Sequence, residues 1–583
     1  MHRIAARRAL AQTLCLRCQK ASTDKAASFI APLHRPRRLP LTTPRPWRAY
    51  HAPSQATPTA GAHYDTIYAL SSAEGKAGIA VVRVSGPACL QVYHRLCPSK
   101  KAPKPRYAAV RTLFLPDTQE SEILDSAALV LYFPGPQTVT GEDVLELHVH
   151  GGSATVKAVL SAISRCSGNG DIRYAEPGEF TKRAFMNDRL DLAQVEALSE
   201  TLAAETEQQR RAAVRGSSGS LGRTYEDWRR KLLQARAEME ALIDFQEDQH
   251  FDESPATLVG SVSQQIRDIL RNIDVHEMAS QRTELLRNGI QVALLGPPNA
   301  GKSSLMNQIV GREASIVSGE SGTTRDIVEA NLDIRGYLCT FADTAGFRTA
   351  TVSGTTSATQ TDTRIGAVEA EGIRRARARA AQSDVIIVLA SVEEYTAGGY
   401  EIRYDFETLK LAAACQQRLV LINKIDSVPA ADLHPLVHKF EQDVLKKIPG
   451  LDSVVPTLIS CKEARNQSSD QQDPGGVRLV AHRLVLAFQN MTSLPASLQD
   501  LHGVTERQRQ LLVQCRNSLE EYVEVTESVA GRDEETTREI DLTMAAEHLR
   551  YAASSLGRIT GRGEAGDVEE ILGVIFEKFC VGK

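Results

Sequence analysis

The sequence predicts an α/β plus all-α chain: an α/β N-terminal domain, then a helical domain into which a second α/β unit is inserted. The hydrophobic period changes from strand-like to helical near residue 188, reverts to strand near 289, and turns helical again after about 489. The second unit also opens with an apolar strand that runs straight into a Gly-rich loop and a helix. At 583 residues, 42% hydrophobic and 24% charged, the chain can supply cores for three or four compact units.

Residues 1–60 carry nine Arg and two Lys against one acid, Asp24, so a segment of charge +10 precedes a remainder of −14. Rich in Ala, Pro, Ser and Thr as well, it looks like a mitochondrial transit peptide with a cleavage neighbourhood near Arg48-Ala49-Tyr50, and it implies a matrix protein. The competing reading is a disordered basic arm for nucleic acid. The acidic remainder argues against broad, non-specific phosphate binding. Apart from Cys15 and Cys18 near the N-terminus, the ten cysteines lack paired spacing, so neither a disulfide scaffold nor a zinc ribbon fits. The longest apolar runs, such as Val385 to Ala390, fall far short of the roughly 18–20 residues of a spanning helix, so no membrane span is expected.

Over 61–187, short β-branched runs such as Ile79 to Val84 and Ala127 to Phe133, broken by Gly and Pro, read as strands of a mixed α/β domain. Over 188–288 the stripes Leu192, Val195, Leu198, Leu202 and Tyr225, Trp228, Leu232, Ala235, Met239, Leu242 mark long amphipathic helices, continued by Leu258, Val262, Ile266, Ile269 and Ile273. Over 289–488, strands are expected at Ile290 to Leu295 and near 332–342, 385–390, 418–423 and 454–459. Over 489–583 the stripes return as Leu512, Cys515, Leu519, Tyr522 and Leu542, Ala545, Leu549, Ala552, Leu556, Ile559. Each stripe needs a partner and the other helical block offers one, which is the argument for insertion. The low-complexity tracts 349–363 and 466–476 read as loops.

Gly296-Pro-Pro-Asn299-Ala300-Gly301-Lys302-Ser303-Ser304 follows the apolar strand and opens a helix. That context matches a P-loop, whose amides and helix N-terminus cradle phosphates while Lys302 reaches the β and γ phosphates and Ser303 binds Mg²⁺. Asn423-Lys424-Ile425-Asp426 stands after a strand. A carboxylate at Asp426 accepts from the N1 and N2 donors of guanine, a pair that adenine lacks, so GTP is preferred over ATP. Ser460-Cys461-Lys462 occupies the place of the last base-contacting loop. Asp343-Thr344-Ala345-Gly346 ends a strand and supplies a carboxylate behind Mg²⁺ and a Gly amide for the γ phosphate. Between it and the P-loop, Ser318 to Asp326 stands at the first switch, where Thr324 completes the metal shell. His148-Val149-His150 places two imidazoles on one strand face, without a third metal ligand beside them.

With these motifs in hand, the chain resembles the MnmE (TrmE) family of tRNA-modifying GTPases over about 65–583. Beyond the nucleotide motifs, the resemblance rests on Asp65-Thr66-Ile67, Phe133-Pro-Gly-Pro136, Thr140 to Glu146, Pro177-Gly-Glu-Phe180, Asn187 to Gln194 and the terminal Phe579-Cys580-Val581-Gly582-Lys583. It implies a folate-binding and dimerisation domain over 61–187, and a helical domain with an inserted Ras-like G domain. The activity implied is GTP hydrolysis coupled to modification of the wobble uridine of mitochondrial tRNA, in a homodimer with an FAD-dependent MnmG-type partner.

The resemblance also implies activation by K⁺ through paired G domains. Asn299, Ser318, Glu320 and Thr323 stand at the K⁺ positions, with Glu320 and Ser321 departing from the family pattern. Glu369 matches the acid that orients water, with Glu371 competing on the same segment. A tetrahydrofolate derivative, the 5-formyl or 5,10-methylene form, is the implied one-carbon donor, held by Arg83, Glu146, Arg189 and Lys583; Arg189 replaces a common Lys. Cys580 is either a nucleophile or a packed thiol at a helix end. The alternative from another class is a ribosome-assembly switch GTPase, which needs neither the N-terminal domain nor the Cys-Val-Gly-Lys tail.

Overall fold

The structure is a computed structural model. It describes residues 65–117, 122–167, 171–244, 255–317, 330–342, 380–394, 399–465, 475–527 and 541–562, with isolated residues 378, 473, 575, 579 and 582. The basic segment 1–60 and the tract 349–363 therefore lie outside the described residues, as does most of the tract 466–476.

The N-terminal part comprises β1 (Thr66–Leu70), β2 (Ile79–Ser85), α1 (Cys89–Leu96), β3 (Ala109–Phe114), β4 (Ile123–Phe133), β5 (Val144–His150), α2 (Ser153–Ser164), β6 (Ile172–Tyr174) and α3 (Glu179–Met186). Its strands form a sheet in the order β3-β4-β5-β2-β1-β6, antiparallel except for the β1/β6 pair. Alternation decides the faces. Val82, Val84, Val130, Leu145, Leu147 and Val149 pack with Val92, Tyr93, Val159 and Ile163 of α1 and α2 into one apolar core. Arg83 and Glu146 alternate onto the opposite face, where the β2/β5 register makes them direct cross-strand partners.

Next come α4 (Leu192–Ala203), α5 (Glu207–Gly216), α6 (Ser220–Asp244) and α7 (Pro255–Asn288). The Asp191 to Gln194 stretch is a capping box: the Asp191 carboxylate accepts from Gln194 N at 2.8 Å, and Gln194 Oε1 accepts from Asp191 N at 3.0 Å. Leu202, by contrast, is 48% exposed, because α4 ends one residue later.

The second sheet contains β7 (Ile290–Leu295), β8 (Ala314–Ile316), β9 (Ala330–Ile334), β10 (Tyr337–Ala342), β11 (Val385–Glu394), β12 (Tyr400–Arg403), β13 (Gln417–Asn423) and β14 (Thr457–Leu458). Helices α8 (Lys302–Arg312), α9 (Phe406–Ala414), α10 (Ala430–Asp443) and α11 (Val477–Thr492) accompany it. The order is β14-β13-β11-β7-β10-β9-β8, with β12 added to β11. The strands β14, β13, β11, β7 and β10 run parallel, so the central ones are buried on both faces, as the unbroken apolar run of β11 requires. The stretch expected near 332–342 is a hairpin, not one strand: Arg335 and Gly336 both take positive φ, 51° and 91°, as a two-residue primed turn demands. The strand expected over 454–459 shortens to two residues. Pro456 has no N–H for the ladder, and only Thr457 and Leu458 pair with β13.

Helices α12 (Glu506–Glu527) and α13 (Leu542–Thr560) follow. The stripes of α6 and α7 join those of α12 and α13 in a single apolar cluster, in which Tyr225, Leu232, Ile273, Leu512, Cys515, Leu519, Tyr522, Leu549 and Leu556 are fully buried. At about 1.5–3 kcal/mol per large side chain, neither helical block could leave its stripe in water. The hairpin turn of β9–β10 docks on α5 through a Gln208 N to Gly336 O hydrogen bond of 3.1 Å, and Gln209 Nε2 reaches Arg287 O at the end of α7 at 3.1 Å.

Two imidazoles lie inside this helical core. His276 accepts from or donates to the Tyr225 hydroxyl at 3.1 Å and stacks 5.0 Å from Trp228; His502 meets Thr283 Oγ1 at 3.4 Å. Burial pushes the pKa of each down to about 4; for His502, Arg215 and Arg282 push in the same direction. Between pH 6.5 and 4 the unfolded chain binds protons that the folded chain refuses, so stability falls as pH drops through that window. Between pH 7.5 and 5 each histidine is expected to cost about 2 kcal/mol. Urea denaturation followed by Trp228 fluorescence in a Trp47→Phe background should show His276→Leu losing about 2 kcal/mol less than its parent over that range. Equal losses would contradict the buried neutral imidazole.

Candidate functional site

Two sites emerge. At the first, β7 delivers the chain to the P-loop and α8 begins at Lys302, with Gly301 as its N-cap at φ 102°. A side chain at Gly301 would meet Asn423 Nδ2 at 2.2 Å, so the loop closes only with glycine there. Asn423 is buried and ties three motifs together. Its Nδ2 donates to Ala300 O at 2.8 Å, and its Oδ1 accepts from Cys461 N at 3.2 Å. Lys302 Nζ donates to Gly296 O at 2.7 Å and Pro297 O at 2.9 Å, arching back across the loop from the helix N-terminus. Ser303 is exposed in the first turn of α8 and Ser304 is partly exposed beside it, and Asn299 is exposed with φ 62°.

The base-reading corner is also preassembled. Ser460 Oγ donates to Asp426 Oδ1 at 2.6 Å, Lys462 Nζ lies 3.5 Å from Asp426 Oδ2, and Lys424 Nζ lies 3.8 Å from Glu393 Oε1. The Lys462 side chain is 82% exposed and easily displaced, whereas Ser460 is buried and fixes the carboxylate. Each carboxylate oxygen keeps a lone pair for a ligand donor. Burial pushes the Cys461 thiol up to about 11, so it packs as a neutral group. Ser318, Glu320, Thr323, Thr324, Asp343, Thr344, Ala345, Gly346, Glu369 and Glu371 lie outside the described residues.

The second site is a cavity of about 520 Å³ on the open face of the N-terminal sheet. Arg83, Glu146 and Arg189 all line it, together with Arg106, Phe133, Thr138, Phe180 and Leu198. Arg83 Nη2 donates to Glu146 Oε1 at 2.9 Å and its guanidinium lies 6.0 Å from the Phe180 ring centre. His148 Nε2 sits 3.4 Å from Glu146 Oε2, and His150 Nδ1 binds the buried Asp125 at 3.0 Å, so the two imidazoles serve different carboxylates. Arg189 reaches the cavity from a loop pinned by Asn187 Nδ2 to Thr140 O, 2.7 Å, and Arg189 N to Ala184 O, 2.8 Å.

An ion network centred on the buried Arg183 and Glu179 holds the cavity walls. Arg183 Nη2 binds Asp65 Oδ1 at 2.9 Å and Glu179 Oε1 at 3.1 Å, its Nη1 binds Glu142 Oε2 at 3.1 Å, and Arg173 bridges Asp65 and Glu179. Burial alone would raise the Asp65 and Glu179 pKa values, but the hydrogen bonds and charges of Arg173 and Arg183 outweigh it and hold both carboxyls below their ordinary range. Asp65, Glu142 and Glu179 come from three of the sequence motifs, while Arg173 and Arg183 carry no motif of their own; sequence spacing gives no hint that they are the counter-ions. Arg106 was missed for the same reason.

Lys583 and Cys580 lie outside the described residues, but their neighbours show where the tail runs. Phe579 is buried against Leu192 and Val195, and Gly582 O accepts from Ser71 Oγ at 2.9 Å. Gly582 has φ 94°, and a side chain there would come 2.0 Å from Leu70 O. Gly582 thus lies against Leu70 and Ser71, where β1 of the N-terminal sheet ends.

The profile described as the N-terminus of the GTP-binding protein TrmE matches residues 66–189, and the MnmE helical domain matches 192–580. The chain belongs to the MnmE (TrmE) family. A Parvibaculum lavamentivorans protein named tRNA modification GTPase MnmE is 39% identical over 521 residues, 89% of this chain and 100% of that protein. Two relatives named 5-taurinomethyluridine-tRNA synthase subunit GTPB3, mitochondrial, are similar at the same coverage: that of Danio rerio at 38% over 93% of its length, and that of Homo sapiens at 36% over 93%. The motifs that MnmE proteins led us to expect outside the nucleotide site, Asp65-Thr66-Ile67, Thr140 to Glu146 and Pro177 to Phe180, are the ones that build the ion network and cavity.

Removing Arg183 takes the guanidinium from Glu142 and one of two guanidinium partners from Asp65 and Glu179. Arg183→Met should cost about 3–5 kcal/mol at pH 7 in chemical denaturation of the N-terminal part. Because the Asp65 and Glu179 pKa values are depressed, this contribution is complete above the ordinary carboxyl range and lost as pH falls through the folded values, so the deficit should shrink below about pH 4. A deficit independent of pH would point to lost packing instead.

Proposed function

We propose that this chain hydrolyses GTP in the service of modifying the C5 position of the wobble uridine of mitochondrial tRNA. One observation carries the nucleotide half: Asn423 bonds the P-loop on one side and the Ser460–Lys462 loop on the other, so phosphate cradle and base reader form one rigid corner. The reading rests further on the family and on relatives named as tRNA modification enzymes. A nucleotide held there would place its phosphates on the amides at the N-terminus of α8, with Lys302 turning from loop carbonyls to phosphate oxygens. Ser303 and Thr324 would hold Mg²⁺, backed by Asp343, and Asn299 with Ser318, Glu320 and Thr323 would hold K⁺. These ions supply the charge neutralisation that a loose phosphoryl-transfer transition state needs. Glu369 or Glu371 would orient the water.

In the same reading, the 289–488 unit is a Ras-like G domain inserted in a helical domain formed by 188–288 and 489–583, and 61–187 is the folate-binding, dimerising part. A tetrahydrofolate derivative fits the cavity's donor set: Glu146 for pterin donors, cations for carboxylates, and two aromatic rings. When bound it supplies a one-carbon unit. The chain's residues grip and orient it, with Lys583 and Cys580 brought alongside by the tail. The working unit is a homodimer with an FAD-dependent MnmG-type partner, in the mitochondrial matrix behind a basic transit segment.

Purified protein should hydrolyse GTP with little ATP turnover, and Asp426→Asn should erode that preference by about 1–3 kcal/mol, or roughly 5- to 150-fold in kcat/KM. Equal turnover of the two nucleotides by the wild type would refute guanine reading. K⁺ should raise the rate above that in Na⁺ at matched ionic strength; identical rates would remove Asn299 from a cation role. Deleting residues 580–583 should abolish the wobble modification, read by mass spectrometry of mitochondrial tRNA nucleosides, while GTP hydrolysis persists. Normal modification by the truncated protein would leave the tail a purely structural role and remove Lys583 and Cys580 from the site.

A further inference from the structure

The cavity of the N-terminal sheet holds one guanidinium already neutralised and two that are not. Arg83 has Glu146. Arg106 Nη2 donates to Gln137 O at 2.5 Å and Arg189 Nε donates to Thr138 O at 3.0 Å, and neither meets a carboxylate among the described residues. Gln137 and Thr138 are consecutive, so the two bonds gather both cations on one rim.

That rim is built firmly. Gly135 N and the Tyr132 hydroxyl both donate to the Asp143 carboxylate, at 2.8 and 2.7 Å, and Thr138 Oγ1 donates to Glu142 O at 2.6 Å, which locks the loop that carries the two carbonyls. Arg106 itself stands at φ 60°, a left-handed conformation that costs a non-glycine residue about 1–2 kcal/mol, with its amide fixed to Tyr132 O at 2.8 Å. Its guanidinium lies 5.7 Å from the Phe133 ring centre, on the cavity side. Phe133 pairs with Val144, two residues along the strand from Glu146, so this edge lies roughly 7 Å from the foot of the Glu146 side chain. The cavity is therefore polarised: an acid that accepts hydrogen bonds on one side, and on the other two guanidinium groups that meet no carboxylate among the described residues.

We propose that Arg106, acting with Arg189, binds the glutamate carboxylates of the folate ligand, while Glu146 reads the pterin. This rests on the folate reading of the cavity and adds to it the residue that takes the anionic tail. The terminal glutamate offers two carboxylates, and planar guanidinium forks match carboxylates with two parallel hydrogen bonds each. Because the rim is open to solvent, the attraction is screened by salt, and its contribution falls as ionic strength rises.

The test is calorimetric binding to the full chain of two probes, 5-formyltetrahydrofolate and the same molecule without its glutamate, 5-formyltetrahydropteroate. Wild type should prefer the glutamate-bearing probe. Arg106→Gln keeps a donor for Gln137 O but removes the charge; it should weaken 5-formyltetrahydrofolate about tenfold, leave the pteroate probe unchanged, and flatten the salt dependence. Arg106→Lys, which keeps the charge but loses the fork, should retain only part of the preference. Equal weakening of both probes in Arg106→Gln would make Arg106 a loop-shaping residue and overturn the proposal, as would no change on either. Wild-type protein that binds neither probe would overturn the folate reading itself, together with the proposal.

Discussion

A buried carboxylate fastens the first helical block to the second. Glu196 on α4 accepts from Arg507 Nε at 2.5 Å, Thr505 Oγ1 at 3.1 Å and Gln508 Nε2 at 2.7 Å, all at the start of α12, while Arg507 also binds the carbonyls of Arg558 and Ile559 at the end of α13. A charge out of water persists only when its lone pairs are filled in this way. The apolar cluster shared by α6, α7, α12 and α13 supplies the bulk of the burial, but it is non-directional; the Glu196 network sets the angle at which the last helix arrives. Gly561 packs against Phe185 and Leu192, and Gly582 meets Leu70 and Ser71.

The same device recurs at both sites. At the nucleotide corner one side-chain amide, Asn423, closes three loops; at the sheet cavity one guanidinium, Arg183, gathers Asp65, Glu142 and Glu179 from three motifs. Loops placed by buried, fully satisfied polar groups hold their side chains before a ligand arrives, which lowers the ordering cost of binding. Motifs far apart in sequence are thereby constrained together, because altering one leaves the others' polar atoms unpaired.

Between the two sites runs a continuous set of contacts. Leu198 of α4 lines the cavity, α5 follows directly, and the N-terminus of α5 receives the β9–β10 turn through Gln208 and the end of α7 through Gln209. In sequence the hairpin lies between Ser318–Asp326 and Asp343–Gly346. This is spatial continuity, and energetic coupling along it is a separate matter.

What sequence alone determined was whatever depends on neighbours along the chain. Strand alternation put Arg83 and Glu146 on one face; the helical stripes of α6, α12 and α13 named the buried residues almost one for one; strand, Gly-rich loop and helix identified the P-loop, since all three are local periodicities or local backbone demands. Local pattern misjudged the ends: a primed turn at Arg335-Gly336 and a missing amide at Pro456 redrew two strands. Tertiary structure decided which distant polar groups meet. Arg183 with three carboxylates, Glu196 with the start of α12, and Arg106 beside Arg189 have no spacing signature, because an ion pair or hydrogen bond constrains distance in space and leaves separation along the chain free.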